Sequence, residues 1–179
     1  MISTFTRAVG ALVLLSTSTW ISTVDAKPYK AAEVYTKQTY KYGRYEMRMK
    51  VAKGSGILST FFTYKNGSEI SGNTWEEIDL EVFGKNNATQ WQSNVIIGVT
   101  PNVTRTEGVH TAAASLADDY HTYALEWTPE YIACYVDGDQ VRRITGGSFV
   151  TSLVSNQDMR FNIWPCNVSA WAGTFSDSV

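Results

Sequence analysis

Glu77, Asp79 and Glu81 occupy alternate positions in the run Trp75-Glu76-Glu77-Ile78-Asp79-Leu80-Glu81-Val82. In a β-strand successive side chains point to opposite faces, so Ile78, Leu80 and Val82 share one face and the three carboxylates share the other. Carboxylates two residues apart on a strand face repel, and at least one then holds its proton more tightly than a free side chain does. One strand thereby carries both an acid and a base. Cleavage of a glycosidic bond needs such a pair: one carboxylate attacks the anomeric carbon and one carboxylic acid protonates the leaving oxygen. Residues four apart on a strand have Cα atoms about 13 Å apart. Retaining enzymes hold the two carboxyl groups about 5–5.5 Å apart. Two Glu side chains leaning together close that gap, and the shorter Asp79 leaves room above itself.

An isolated row of this kind is more often a solvated strand face, because polar-out alternation is common in antiparallel sheets. The neighbouring segments shift the weight. Phe62, Tyr64 and Asn66 fall on one face of the preceding segment, Gln92 and Asn94 on one face of the following one. Arg160, Asn162 and Trp164 share a face further on, with Phe161 and Ile163 on the other. Rings stack on pyranose faces and amides bond hydroxyls. A merely solvated face more often shows Lys, Glu and Thr. Taken singly, Phe62 reads as core and Arg160 as a surface charge; it is the set that points to a sugar.

The segments that must position this set are short strands. Tyr45, Met47, Met49 and Val51 alternate with Arg44, Glu46, Arg48 and Lys50, a period of two that marks a half-buried strand, broken by Gly54-Ser55-Gly56. Further strands are expected over Leu58–Tyr64, Trp75–Phe83, Trp91–Val99, His121–Trp127, Tyr131–Val136, Val141–Ile144 and Met159–Trp164. Asp137-Gly138 is a hairpin signal between two of them, and Asn66-Gly67 is a turn. No segment carries a helical stripe. Regular short strands with turns between them predict an all-β, antiparallel sandwich or jelly roll.

The 179 residues suit one domain. The first 26 read as a secretory signal peptide: Arg7 is a positive n-region, Ala8 to Leu15 is nearly all apolar, and Val24-Asp25-Ala26 resembles a cleavage site. That apolar run is too short to span a membrane. The expected mature chain, 27–179, is therefore secreted, extracellular or periplasmic, without a membrane partner. A net charge of -2 and the lack of any Lys/Arg run argue against nucleic acid. The aromatic content is 13%, and Trp75, Trp91, Trp127, Trp164 and Trp171 suit either a large core or sugar faces. Cys134 and Cys166 could pair in an oxidising compartment, a question that spacing leaves open. His110 and His121 stand at no ligand spacing from a Cys, so no metal site is expected from them.

The string W-E-E-I-D-L-E-V, with S-T-F-F-T-Y-K-N-G-S-E-I before it and W-Q-S-N-V-I-I-G after it, resembles glycoside hydrolase family sixteen, the lichenase and laminarinase family. So do Y-H-T-Y-A-L-E-W-T-P, Y-V-D-G-D-Q-V-R, R-F-N-I-W and A-W-A-G, and the similarity covers nearly all of 27–179. The closest likeness is to bacterial 1,3-1,4-β-glucanases of the circularly permuted rumen type. The resemblance implies a concanavalin-A-like jelly roll of two antiparallel sheets with a concave cleft. It implies a monomer acting on β-glucan by a retaining double displacement, needing no cofactor for the chemistry. Glu77 would be the nucleophile, Glu81 the acid and then base, and Asp79 the residue that tunes both. Phe62, Tyr64, Asn66, Trp75, Gln92, Asn94, Arg160, Asn162, Trp164 and Trp171 would line the glucose subsites. The uninterrupted E-x-D-x-E spacing is the form of lichenases and xyloglucan-active members, and the bulged form is that of laminarinases. Laminarinase, a xyloglucan-active enzyme and a non-catalytic carbohydrate-binding domain are the other readings. Many members carry a structural calcium, whose ligands have no match here. Family members continue past the Trp171 motif into further strands, so a domain shortened at its C-terminus is expected.

Overall fold

The computed structural model describes residues 29–176, so the leader-like stretch lies outside the described residues. The chain forms β1 (Ala32–Tyr35), β2 (Gly43–Met49), β3 (Ile57–Tyr64), β4 (Thr74–Phe83), α1 (Lys85–Ala88), β5 (Gln90–Val99), β6 (Asn102–Arg105) and β7 (Gly108–Thr111). There follow β8 (His121–Trp127), β9 (Tyr131–Val136), β10 (Asp139–Thr145), α2 (Ser148–Thr151), β11 (Asp158–Pro165) and α3 (Ser169–Ala172). Each helix is a single turn, in keeping with the absence of a helical stripe. Two antiparallel sheets result. The larger runs β1-β11-β3-β4-β5-β6, with β7 also on β5, and the smaller runs β10-β9-β8-β2. This is the expected two-sheet, all-β jelly roll.

The expected strands form because alternate residues find apolar partners. Phe61, Ile78, Leu80 and Val82 of the larger sheet meet Tyr123, Leu125, Trp127 and Ile132 of the smaller one in a buried core. Full burial of one such aliphatic side chain stabilises by roughly 1.5–3 kcal/mol, and truncating it to Ala costs about 2–5 kcal/mol. Asp137 and Gly138 both have positive φ, 52° and 90°, as the two-residue turn between β9 and β10 requires. β1, β6 and β7, which the sequence pattern did not announce, lie at the margins of the larger sheet with mostly exposed residues. On one side, among the described residues, β1 and β2 are edge strands. A groove of about 350 Å³ lined by Val34, Met47, Met49, Phe161 and Ile163, among others, opens between the sheets there.

Two further ties matter for the cleft. Arg142 of β10 points inward and donates to the backbone oxygens of Ser93 (3.0 Å) and Thr106 (2.8 Å) and to Thr106 Oγ1 (2.8 Å). It thereby joins the smaller sheet to β5 and to the β6–β7 link. A second apolar cluster, Leu58, Phe83, Cys166 and Ala172, packs with Trp164 and Trp171 on the outer face of the larger sheet. Cys134 belongs instead to the inter-sheet core. The two cysteines are therefore apart and both are free thiols; burial pushes the Cys134 thiol up to about 12.

Candidate active site

The carboxylate row sits on β4, in the middle of the larger sheet. Ile78, Leu80 and Val82 are buried in the core, so pleating turns Glu77, Asp79 and Glu81 to the outer face. The register then decides what stands beside each of them. Glu77 lies between Tyr64 and Ile96, Asp79 between Phe62 and Asn94, and Glu81 between Thr60 and Gln92. Pairing on both sides of β4 runs through these residues one for one, without a bulge.

Two adjoining cavities share the three carboxylates. One, about 260 Å³, is also lined by Gln92, Asn94, Ile96, Arg105, Glu107 and Trp171. The other, about 150 Å³, is lined by Thr60, Phe62, Asn162 and Trp164. Six of the ten subsite candidates (Phe62, Gln92, Asn94, Asn162, Trp164 and Trp171) thus surround the row. The other four stand toward the Glu77 end. Trp75 Nε1 donates to Glu77 Oε2 at 2.6 Å, and Tyr64 meets Trp75 edge-on at 6.1 Å. Tyr64 Oη donates to Glu69 Oε2 at 2.5 Å.

Arg160 and Asn66 are more firmly held than a free subsite residue would be. Arg160 donates to Asp158 Oδ1 (2.8 Å), Glu33 Oε1 (3.0 Å) and Asn66 Oδ1 (2.5 Å), and its guanidinium lies 4.6 Å from the Tyr64 ring centroid. Asn66 Nδ2 donates to Asp158 Oδ2 at 2.7 Å. Neither lines the two cavities; together with Asp158 they brace the wall behind Tyr64. Glu33, Asp158, Thr60, Glu69, Arg105 and Glu107 escaped the sequence reading. Thr60 lies on the cleft face by the same alternation that places Phe62, so that signal was present. Asn162 is gripped by Thr60 Oγ1 and by Glu33.

The electrostatics separate the two glutamates. Burial, then the charges of Glu77 and Glu107, push Glu81 up to about 8, against a small lowering by Gln92. Burial also raises Glu77, but the Trp75 indole, Asp79, Arg160 and Arg105 all favour its anion. Asp79 is raised well above the usual carboxylate range by burial and by the charges on both sides, with hydrogen bonding to Glu77 adding to the rise. Donors and positive charge thus work against burial at Glu77, whereas negative charge adds to burial at Glu81, which holds its proton more tightly than a free glutamate. Gln92 fixes the orientation of Glu81. The Trp171 indole, a donor only, reaches Gln92 Oε1 at 3.1 Å, so the other end of the amide must donate, and it does, to Glu81 Oε2 at 3.3 Å. Asn94 Oδ1 is buried without a hydrogen-bond partner where it lines the larger cavity, an acceptor suited to a ligand hydroxyl. Among the described residues no group of three or more His, Cys, Asp or Glu is arranged to hold a metal ion.

Known proteins resemble the chain in sequence and in fold. The family model described as "Glycosyl hydrolases family 16" matches residues 7–178. A β-glucanase of Fibrobacter succinogenes is 43% identical over 176 residues, covering 97% of this chain and 50% of the relative. A β-glucanase of Bacillus subtilis is 37% identical over 140 residues, 78% of this chain and 54% of its own length. The chain spans about half the length of the curated relatives it matches. Among solved structures, Bacillus licheniformis β-glucanase superposes with a TM-score of 0.68 at 33% identity, covering 82% of this chain and 64% of that one. A β-1,3-1,4-glucanase (lichenase) derived from a mouse hindgut metagenome gives 0.67 at 33% identity, with the same coverage.

Proposed function

The chain belongs to glycosyl hydrolases family 16, and on that premise we propose that it is an endo-acting, retaining glycosidase of mixed-linkage 1,3-1,4-β-glucan. The observation that carries the reading is the Glu77-Asp79-Glu81 row on one strand face, walled by Gln92, Asn94, Asn162, Trp164 and Trp171, with donors and positive charge gathered at Glu77 and negative charge at Glu81. A Glu77 oxygen attacks the anomeric carbon as Glu81 delivers its proton to the departing glycosidic oxygen. The C–O bond to the leaving chain breaks, and a glycosyl ester forms on Glu77. Glu81, now ionised, takes a proton from water, whose oxygen displaces Glu77 and restores both groups. The ring of Trp164 and the amide of Asn162 line the smaller cavity and the amide of Asn94 the larger, adjoining one, a lining that suits a neutral sugar chain.

The linkage preference is supported by two observations. β4 pairs without a bulge across the row, the uninterrupted form associated above with lichenases. A relative of similar fold is itself described as a β-1,3-1,4-glucanase. The leader-like N-terminus supports secretion, and a secreted product beginning at Lys27 on N-terminal sequencing is the matching result.

The test is reducing-end release from barley β-glucan, laminarin and xyloglucan, with Glu77→Gln alongside. Release from barley β-glucan alone, lost in the variant, is the expected result. Release from laminarin alone overturns the linkage preference. A folded protein that cleaves none of the three overturns the enzymatic reading in favour of a binding domain.

A further inference from the structure

We propose that Arg105 and Glu107 form a charged wall that sorts the protons of the carboxylate row, Arg105 keeping Glu77 ionised and Glu107 keeping Glu81 protonated. The inference deepens the function proposed above and rests on it. Both residues line the same 260 Å³ cavity as Glu77, Asp79 and Glu81, opposite Trp171. They come from the margin of the larger sheet, on either side of Thr106. Thr106 is pinned by three contacts: its N–H donates to Val95 O at 3.1 Å, and Arg142 donates to both its backbone oxygen and its hydroxyl. With Thr106 turned toward the inter-sheet side, its two neighbours in an extended chain turn the other way, over the cleft.

The register sets the two charges at different points along the row. Arg105 lies opposite Ile96, which lies opposite Glu77. Glu107 is two residues further along; between Arg105, opposite Ile96, and Gly108, opposite Ser93, it stands level with Asn94 and Asp79, two residues nearer Glu81 than Arg105 stands. Among the described residues neither Arg105 nor Glu107 is in an ion pair, so their fields are not cancelled by a contact partner. The other titratable or charged groups facing Glu77 are Arg160, Asp79, Glu81 and Tyr64; those facing Glu81 are Glu77 and Asp79. Glu107 is thus the negative charge from outside β4 that acts on Glu81, and the raised affinity of Glu81 for its proton agrees. A wall of this kind acts through space. It adjusts protonation without taking up the hydrogen-bonding positions over the row, which a sugar needs. Because both residues are exposed, solvent weakens each effect, and a shift on the order of half a pH unit per charge is expected.

The test is the pH dependence of kcat/KM on barley β-glucan for the full chain, for Glu107→Gln and for Arg105→Gln, at low salt and in 1 M NaCl. The Glu107→Gln variant moves the alkaline limb to lower pH and leaves the acid limb in place. The Arg105→Gln variant moves the acid limb to higher pH and leaves the alkaline limb in place. In 1 M salt, where the Debye length is about 3 Å, both variants converge on wild type. A structural role for either residue would lower activity at every pH without moving a limb, and that result overturns the proposal, as do shifts in the opposite sense. Carboxyl carbon NMR titration of the same three proteins without substrate, assigned with Glu77→Gln and Glu81→Gln, separates the two levels of the argument. Shifted titrations in a protein that cleaves no glucan leave the wall standing and remove the glycosidase. Unshifted titrations in an active protein remove the wall alone.

Discussion

Replacing Glu81 by Gln removes the proton that the leaving glucan needs while changing the side chain's size very little. The structure sets the scale of the effect. With Glu81 pushed up to about 8 by burial and by the charges of Glu77 and Glu107, about nine-tenths of the molecules carry the proton at pH 7 and about one-tenth at pH 9. On barley β-glucan, kcat/KM of the wild type should therefore fall about tenfold per unit above pH 8. Glu81→Gln should lose a factor on the order of 10²–10⁴ at neutral pH, roughly 3–5 kcal/mol of barrier, and lose the alkaline limb with it. The loss should depend on the leaving group. A dinitrophenyl β-glycoside departs without protonation, so its first step survives the substitution. Water attack then lacks its base, and a sugar ester should accumulate on Glu77, visible as added mass in the intact protein and relieved by azide. A Glu81→Gln variant within tenfold of wild type on β-glucan, or one that keeps a limb near pH 8, would refute the assignment of the acid.

Two further perturbations read the cost of building the site. Asp79 has a folded-state pKa raised by burial and by both neighbouring carboxylates. Its contribution to stability is therefore complete below the ordinary aspartate range and is lost as pH rises toward the folded value, because the folded state then binds more protons than the unfolded one. Asp79→Asn cannot ionise, so its melting temperature should exceed that of wild type at pH 8 by about 2–4 °C per kcal/mol relieved, with the gap closing at pH 4; a gap that scanning calorimetry finds constant with pH contradicts the linkage. Glu76, buried beneath the row, accepts from Val154 N (2.7 Å), Ser155 N (2.8 Å) and Ser155 Oγ (2.6 Å). Glu76→Leu strands these donors and should cost about 2–5 kcal/mol in urea unfolding, with Glu76→Gln losing less; a loss under about 0.5 kcal/mol for Leu would mean the loop does not depend on that carboxylate.

The floor of the cleft could be read from sequence because it is the back of a core strand. Ile78, Leu80 and Val82 must be buried, and pleating then gives Glu77, Asp79 and Glu81 their common face with no further information. The same rule placed Gln92 and Asn94, whose strand buries Trp91, Val95 and Ile97 on its other side. The walls were not readable on that principle. Glu33 stands on β1 and Arg105 on β6, with Glu107 just before β7; these are four-residue strands at the sheet margins, with little apolar alternation to announce them. Asp158 escaped for a neighbouring reason: it opens β11 one residue before the apolar pattern begins. A cleft must be open to admit a polymer, so its walls are exposed, and exposure is what erases the periodic signal of a strand. The residues that carry the chemistry are therefore visible in the alternation, while those that adjust its proton affinities appear only when the register lays Arg105 in line with Glu77 and brings Glu107 level with Asp79, two residues nearer Glu81.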